Sequence, residues 1–212
     1  MPRPEVQAPP EIFYNESEAR KYTTSSRIIE IQARISERAL ELLALPDDGV
    51  PKMLLDIGCG SGLSGETLTE HGHHWIGCDI SQSMLDVALE RETEGDLLLA
   101  DMGEGLGLRP GVMDGAISIS AVQWLCNADK SSHEPRLRML SQGARAVLQF
   151  YADNVKQTEM LVSFSEAKKS YLVLTCGTSS VTSLPKGKGE NGEMCSSDDD
   201  DDDDDESNDD QT

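Results

Sequence analysis

Four short apolar runs occupy the middle of the chain. The first, residues 53–57, is apolar except for Asp56, and three more follow at 74–79, 96–102 and 113–120. Apolar runs of this length are typical of parallel strands that are buried on both faces. The pattern therefore predicts a mostly parallel sheet that is built strand by strand along the chain.

Stretches with helical spacing separate these runs. Residues 63–70 follow the first run, residues 82–91 follow the second, and residues 27–45 precede both with apolar side chains three or four apart. Further upstream, Asn15-Glu-Ser-Glu18 has the pattern of a capping box that starts a short helix through Tyr22. Strands that alternate with helices predict an α/β fold with a doubly wound sheet.

Three glycines at alternate positions follow the first predicted strand: Gly58, Gly60 and Gly62. Glycine lets the chain turn sharply and lets a ligand approach the bare backbone. A strand, a glycine loop and a helix form a cradle for a nucleotide-type ligand. Gly60, Gly62 and Gly65 also satisfy the dinucleotide fingerprint G-x-G-x-x-G, so these spacings alone leave a nicotinamide dinucleotide open.

The string Asp56-Ile-Gly-Cys-Gly-Ser-Gly62 resembles motif I of the class I S-adenosylmethionine-dependent methyltransferases. In that resemblance Asp56 lies near the cationic methionine end of the ligand, together with the three glycines. Asp79 ends the second predicted strand, where a carboxylate can accept hydrogen bonds from both ribose hydroxyls. Asp101 and Met102 end the third, and the resemblance assigns them to the adenine. The implied cofactor is S-adenosyl-L-methionine.

Length and composition allow one domain with tails. The chain has 212 residues, is 37% hydrophobic and carries a net charge of −21. Eleven acidic residues lie between Asp198 and Thr212, which leaves 28 acidic against 18 basic residues elsewhere. This balance does not favour binding to nucleic acid by the chain alone. It predicts a disordered acidic tail, because consecutive aspartates repel one another and bury no apolar area.

Cysteine and histidine patterns do not indicate a metal site. None of the five cysteines has C-x-x-C spacing, and two of them lie within predicted buried strands, which favours reduced thiols in an intracellular protein. His71, His73 and His74 cluster without a second group of ligands, so a loop that leads into a strand is the better interpretation. The sequence predicts no bound metal.

Several segments together resemble the eukaryotic 18S ribosomal RNA (guanine-N7)-methyltransferases. The likeness runs nearly without gaps from Pro10 to about Asn127 and resumes at 143–149. The segments that carry it are Pro10-Glu-Ile-Phe-Tyr14, Glu18-Ala-Arg-Lys-Tyr22, Leu55-Asp-Ile-Gly-Cys-Gly60, Glu94-Gly-Asp-Leu-Leu-Leu99 and Ile117-Ser-Ile-Ser-Ala-Val-Gln-Trp-Leu-Cys-Asn127.

The resemblance implies a Rossmann-like fold, methylation of 18S rRNA in pre-40S particles, and a nuclear and nucleolar location, with the cytoplasm left open. It also implies a small zinc-binding activator protein that extends the sheet beside the third strand, here 96–100. It favours Gln123 and Trp124 for positioning the base; from the residue alone, a tryptophan at a strand end such as Trp124 is more often part of the core. Guanine N7 carries no proton, so the reaction needs no general base and no catalytic acid–base residue is predicted.

The chain departs from this family after residue 127. The segment before residue 143 is short and leaves only about 135–141 to be helical. A helix is expected at 157–164, followed directly by a last strand at 171–177, which predicts six strands instead of seven and an incomplete C-terminal part of the sheet. We therefore expect a shortened form of the family fold.

The predicted organisation has three parts: an N-terminal arm and short helix (1–24), a methyltransferase domain (25–177) and the acidic tail (178–212). The proline-rich stretch 2–10 is expected to be disordered or to lie loosely over the domain. Two other functions stay open at this point. One is methyl transfer to a small molecule, which the negative charge suits; the other is a non-catalytic ribosome-assembly factor that retains the fold.

Overall fold

The computed structural model describes residue 4 and residues 7–127, 140–151 and 170–176. Five α-helices are described: Pro10–Phe13 (α1), Glu16–Thr24 (α2), Ser26–Leu43 (α3), Leu63–Glu70 (α4) and Gln82–Glu90 (α5). The six strands are Met53–Ile57 (β1), His74–Asp79 (β2), Asp96–Leu99 (β3), Met113–Ile119 (β4), Leu140–Phe150 (β5) and Ser170–Thr175 (β6), and a 3₁₀ helix spans Val122–Asn127.

The strands form a single sheet in the order β3-β2-β1-β4-β5-β6. Every neighbouring pair is parallel except β5 and β6, which are antiparallel. The chain winds from β1 outward to β3 and then crosses over to β4 and winds the other way. This order confirms the doubly wound, mostly parallel sheet and places a topological switch point between β1 and β4, where ligands bind in such folds.

Two hydrophobic clusters lie on opposite faces of the sheet because side chains alternate along each strand. On one face Leu54 packs with the apolar stripe of α3 and with Leu68 of α4. On the other face Leu55 packs with Ala116 and Ala146, against Leu106 and Leu108 of the loop that follows β3. The long helix α3, which precedes β1, is therefore part of the domain core.

The N-terminal segment also has defined structure. Asn15 caps α2, because its Oδ1 accepts hydrogen bonds from the amides of Ser17 (3.1 Å) and Glu18 (3.2 Å). The Glu18 carboxylate contacts Lys21 (3.1 Å) rather than returning to the cap. Pro10 begins α1, a position where proline is favoured because its missing amide hydrogen would have no helical partner. The sequence pattern did not predict this helix.

The predicted element bounds hold best in the first half of the chain. α4 is confirmed at Leu63–Glu70, while β3 ends at Leu99, three residues short of the predicted end. The helix predicted over 135–141 is wrong for its last two residues, which belong to β5. The six-stranded count agrees with the described sheet. The helix predicted at 157–164 and the disordered tail predicted at 178–212 lie outside the described residues.

Candidate functional site

The loop after β1 is fastened to the end of β2. The amides of Gly58 and Cys59 both donate to the carbonyl oxygen of Cys78, at 2.8 and 3.0 Å. Gly58 has φ of 74°, and a β-carbon added there would lie 2.2 Å from the β-carbon of Ala121, just after β4. Glycine is therefore required at this position both by its backbone conformation and by the close approach of the β4 side of the switch point.

Asp79 organises the same loop from the end of β2. Its Oδ2 accepts a hydrogen bond from the amide of Gly60 and its Oδ1 accepts one from the amide of Ser81, each at 2.8 Å. Burial raises the pKa of the Asp79 carboxyl, and the two backbone donors oppose that rise. One side chain thus fixes both the glycine loop and the start of α5.

Asp56 lies beneath the glycine loop and is completely buried. The hydroxyl of Ser64 donates to its Oδ2 at 2.6 Å, while its Oδ1 has no hydrogen-bond partner among the described residues. Burial raises the pKa of the Asp56 carboxyl to about 7. A buried acceptor without a partner costs about 1–3 kcal/mol. A cation or donor that reaches Oδ1 would therefore be favoured.

The remaining predicted cofactor residues divide into two kinds. Asp101 and Met102 lie in the turn after β3, where the Asp101 Oδ1 accepts from the amide of Gly103 at 2.8 Å. Gly62 has φ of 81° at the start of α4, and a β-carbon there would lie 2.6 Å from Cγ2 of Thr93. Gly62 therefore shapes the loop from behind, whereas Asp101 and Met102 face the ligand side.

A cavity of about 750 Å³ opens at the carboxyl ends of β1, β2 and β4. Six of the predicted site residues line it: Gly58, Gly60, Asp79, Asp101, Met102 and Trp124. Asp56, Gly62 and Gln123 do not, although Asp56 reaches the wall through Ser64. The charged side chains on the described wall are Glu11, Asp79 and Asp101, all acidic. The site is thus suited to a cationic, partly apolar ligand.

The N-terminal segment completes the cavity. Residues 7–11, Tyr14 and Tyr22 line the wall. Of the two alternatives for the proline-rich stretch, residues 7–10 therefore follow the second, since they lie over the domain. The Ser81 hydroxyl donates to the carbonyl oxygen of Tyr14 at 2.8 Å and ties this segment to α5. No periodicity in the sequence marks residues 7–11.

Tyr14 and Tyr22 pack against each other and also line the cavity. The rings of Tyr14 and Tyr22 meet edge to face, with centroids 5.9 Å apart. Gln32 donates to the Tyr22 hydroxyl at 2.7 Å, and burial raises the pKa of Tyr22 to about 12. A neutral, hydrogen-bonded tyrosine in this position gives the cavity a fixed wall.

A smaller hollow of about 270 Å³ adjoins the cavity. Trp124 stands at its border, with its ring centroid 5.8 Å from that of Tyr14 and 6.2 Å from that of Phe13. Gln123 lines this hollow, and its Oε1 is buried without a hydrogen-bond partner in the described part of the chain. Trp124 therefore lines both the cavity and the hollow, and Gln123 lines the hollow beside it.

The described residues show neither a metal-ligand cluster nor a membrane-spanning helix. They contain no cluster of three or more potential metal-ligating side chains. None of their helices is long and apolar enough to cross a membrane.

Comparison with known proteins defines the class first. Residues 55–148 match a family described as a methyltransferase domain. A TehB-like S-adenosylmethionine-dependent methyltransferase from Corynebacterium glutamicum superposes with a TM-score of 0.56 at 19% identity, covering 77% of this chain and all of that one. This likeness supports the fold. The sheet, the glycine loop and the acidic cavity are those of a Rossmann-like class I methyltransferase.

Closer relatives define the family. The 18S rRNA (guanine-N7)-methyltransferase of Arabidopsis thaliana is 63% identical, over 92% of this chain and 77% of that protein. The enzyme of the same name from Mus musculus is 54% identical, over 89% of this chain and 76% of its own length. The chain belongs to the 18S rRNA (guanine-N7)-methyltransferase family.

Proposed function

We propose that this protein transfers the methyl group of S-adenosyl-L-methionine to N7 of a guanine in 18S rRNA during maturation of the small ribosomal subunit. The observation that carries the proposal is the acidic cavity at the switch point, closed by a glycine loop and bordered by an aromatic hollow. Membership of the family supports the choice of rRNA over a small-molecule acceptor.

The cavity fits the cofactor in charge and in shape. The sulfonium and ammonium groups of S-adenosylmethionine are cationic, and the cavity wall is acidic. Gly58 and Gly60 would border the methionine end, with the unpartnered Oδ1 of Asp56 beneath them and Gly62 shaping the turn. Asp79 would accept from the ribose hydroxyls, since each carboxylate oxygen has room for a second hydrogen bond. Asp101 and Met102 would contact the adenine.

The bound cofactor supplies a methyl group on a positively charged sulfur. What the chain must do is hold an unstacked guanine in line with that group and exclude water. The N7 lone pair carries no proton, so no side chain has to remove one. Trp124 offers a surface for stacking and Gln123 a polar group for the edge of the base. Alignment in a closed aromatic site therefore accounts for the chemistry.

The activator partner is proposed at the β3 edge of the sheet. Within the described sheet β3 has one neighbour, β2, so its outer edge is available to another strand. Leu99 on this strand is 54% exposed, and Leu89 of the adjacent α5 is 64% exposed. Exposed leucines beside an open strand edge suit a partner that adds its own sheet there. With such a partner we place the protein in the nucleus and nucleolus.

The test uses the full chain with a co-expressed small zinc-binding activator. Small-subunit particles from cells that lack the enzyme are incubated with methyl-labelled S-adenosylmethionine. The expected result is label in 18S rRNA at a site that breaks under the reduction and aniline treatment that cleaves at N7-methylguanosine. Asp79→Ala should lower the labelling at least tenfold when S-adenosylmethionine is kept below its Kd for the parent chain. Tight cofactor binding without any label in the RNA would contradict the proposal and favour a small-molecule acceptor or a non-catalytic assembly role.

A further inference from the structure

The cavity and the smaller hollow are two chambers of one site. Five residues line both: Tyr14, Tyr22, Gln32, Ser120 and Trp124. Ser120 lies at this border in the left-handed region, with φ of 56°, and it is held there by a hydrogen bond from its amide to the carbonyl oxygen of Gln149 at 2.9 Å. Strained backbone of this kind is concentrated at functional sites. Because the two chambers share these five lining residues, a group bound in the hollow is adjacent to a ligand in the cavity.

The hollow has its own chemical character. Besides the shared wall, the residues that line it are Pro4, Ile28, Ile31, Gln123 and Tyr151. Gln123 is only 6% exposed, and its Oε1 is a buried acceptor without a partner among the described residues. An acceptor in apolar and aromatic surroundings favours a flat ligand that brings a hydrogen-bond donor on its edge.

We propose, on the basis of the function proposed above, that this hollow takes the target guanine and that Gln123 accepts a hydrogen bond from its Watson–Crick edge. Guanine carries donors there, at N1 and at the 2-amino group. N7 lies on the opposite side of the purine. When the Watson–Crick edge of the guanine meets Gln123 in the hollow, N7 therefore points across the shared wall toward the cavity. Trp124 then lies beside the face of the guanine ring.

The same contact selects guanine over adenine. Adenine has an acceptor at N1 and no amino group at C2, so the donors that Oε1 would meet are missing. Gln123 thus has two effects in one contact: it selects the base and it orients the reacting atom.

Binding of free nucleotides tests this directly. Trp75, the other tryptophan, is buried against Gly65 and Gly95, so quenching by a purine reports on Trp124. GMP and AMP are titrated into the full chain saturated with S-adenosylhomocysteine. GMP should quench, and AMP should bind about tenfold more weakly. Gln123→Met should weaken GMP about tenfold and leave AMP unchanged, whereas Gln123→Glu, which keeps the acceptors, should retain the preference for GMP.

Controls separate this inference from folding and from the proposed function. Gln82→Met makes the same change at an exposed glutamine of α5 and should behave as the parent chain. Cooperative unfolding shows that each variant is folded. No quenching by GMP, or equal GMP affinity in the parent and Gln123→Met, would overturn the inference. If Gln123→Met methylated 18S rRNA with an unchanged KM, this inference would be overturned while the proposed function stood. If the parent chain were inactive on 18S rRNA but still preferred GMP, the proposed function would be overturned while this inference stood.

Discussion

The two halves of the site on either side of the switch point are built differently. On the β1–β2–β3 side, backbone amides and carboxylates are paired with one another: the Gly58 and Cys59 amides with the Cys78 carbonyl, and the Gly60 amide with Asp79. On the β4 side, Ser120 has a strained backbone and the Gln123 carbonyl is left without a partner in the described chain. The glycine loop of the cofactor half is thus held by its own hydrogen bonds before any ligand binds, with Oδ1 of Asp56 left unpartnered beneath it, whereas the acceptor half combines a strained backbone with the unpartnered Gln123 oxygen.

This difference accounts for how each half recognises its ligand. The cofactor half relies on backbone geometry within some fifty residues of sequence, from β1 to the turn after β3. The acceptor half is assembled from α2 and α3 near the start of the chain, from the 3₁₀ helix some eighty residues later, and from Tyr151 after β5. Single substitutions should distinguish the contributions of the two halves, and their expected effects on the free energy of unfolding decrease from the junction of the halves to the edges of the sheet.

Gly58→Ala should have the largest effect because Gly58 is where the halves touch. The added β-carbon meets that of Ala121, and alanine is also disfavoured at φ of 74°. Overpacking and backbone strain together should lower the free energy of unfolding by about 3–5 kcal/mol, and cofactor binding should be lost. Gly107→Ala is the matched control: it also has positive φ, but nothing lies within 4 Å. In urea unfolding, equal losses in both variants would contradict a clash at the junction.

The sequence predicted the cofactor half much better than the acceptor half, for the same physical reason. Glycines, apolar runs and the acids Asp79 and Asp101 are local signals, and the structure brings these residues together on one cavity. The positions of Tyr14 and residues 7–11 depend on tertiary packing that leaves no local pattern. The sequence also could not show that Asp56 lies beneath the loop rather than on the wall, because the direction of one side chain is set by the surrounding core.

Asp56→Asn should remove a pH dependence of stability. The pKa of the buried carboxyl is about 7, against an ordinary 3.8, so between these values the folded chain holds a proton that the unfolded chain has released. The free energy of unfolding of the parent chain should therefore fall as pH rises through this window, by about 2 kcal/mol between pH 5 and pH 7, at roughly 1.4 kcal/mol per pKa unit.

Urea unfolding of Asp56→Asn and the parent at these two pH values isolates this contribution from other titrating groups. The variant should be the more stable chain at pH 7, yet it should bind S-adenosylmethionine more weakly, since a neutral amide does not balance the cationic end of the ligand. A variant with the same pH slope as the parent would show that Asp56 is not the group responsible.

Compared with Asp56→Asn, Asp79→Ala should change the free energy of unfolding less and weaken cofactor binding more. It removes the acceptor for two backbone amides, which should lower the free energy of unfolding by about 1–2 kcal/mol. Calorimetry should show at least tenfold weaker S-adenosylmethionine binding. Asp114→Ala is the control, since Asp114 also accepts from a backbone amide, that of Met53 at 2.9 Å, but at the opposite end of the sheet. Equal loss of binding in both variants would remove Asp79 from the site.

The smallest effect on stability is expected at the two edges of the described sheet. Leu99 on β3 is 54% exposed and Leu174 on β6 is 38% exposed. Replacing either by lysine should change the free energy of unfolding by about 0.5 kcal/mol or less, as for most surface substitutions. Their effects on association should differ, because only the β3 edge is proposed to receive the activator.

At the high concentrations of overexpression the lone parent chain should aggregate through these edges, and co-expression with the activator should protect β3 only. The nucleotide titrations and urea unfolding are carried out on dilute chain, below these concentrations. Leu99→Lys should therefore block the activator while improving the solubility of the lone chain. Leu174→Lys should leave the activator bound and reduce the aggregation that remains in the complex. Size-exclusion chromatography of the three chains, each with and without the activator, measures both effects. A parent chain that stays soluble, monomeric and cooperatively folded without any partner at these concentrations would contradict aggregation through either edge. It would also show that the cofactor half folds without the activator.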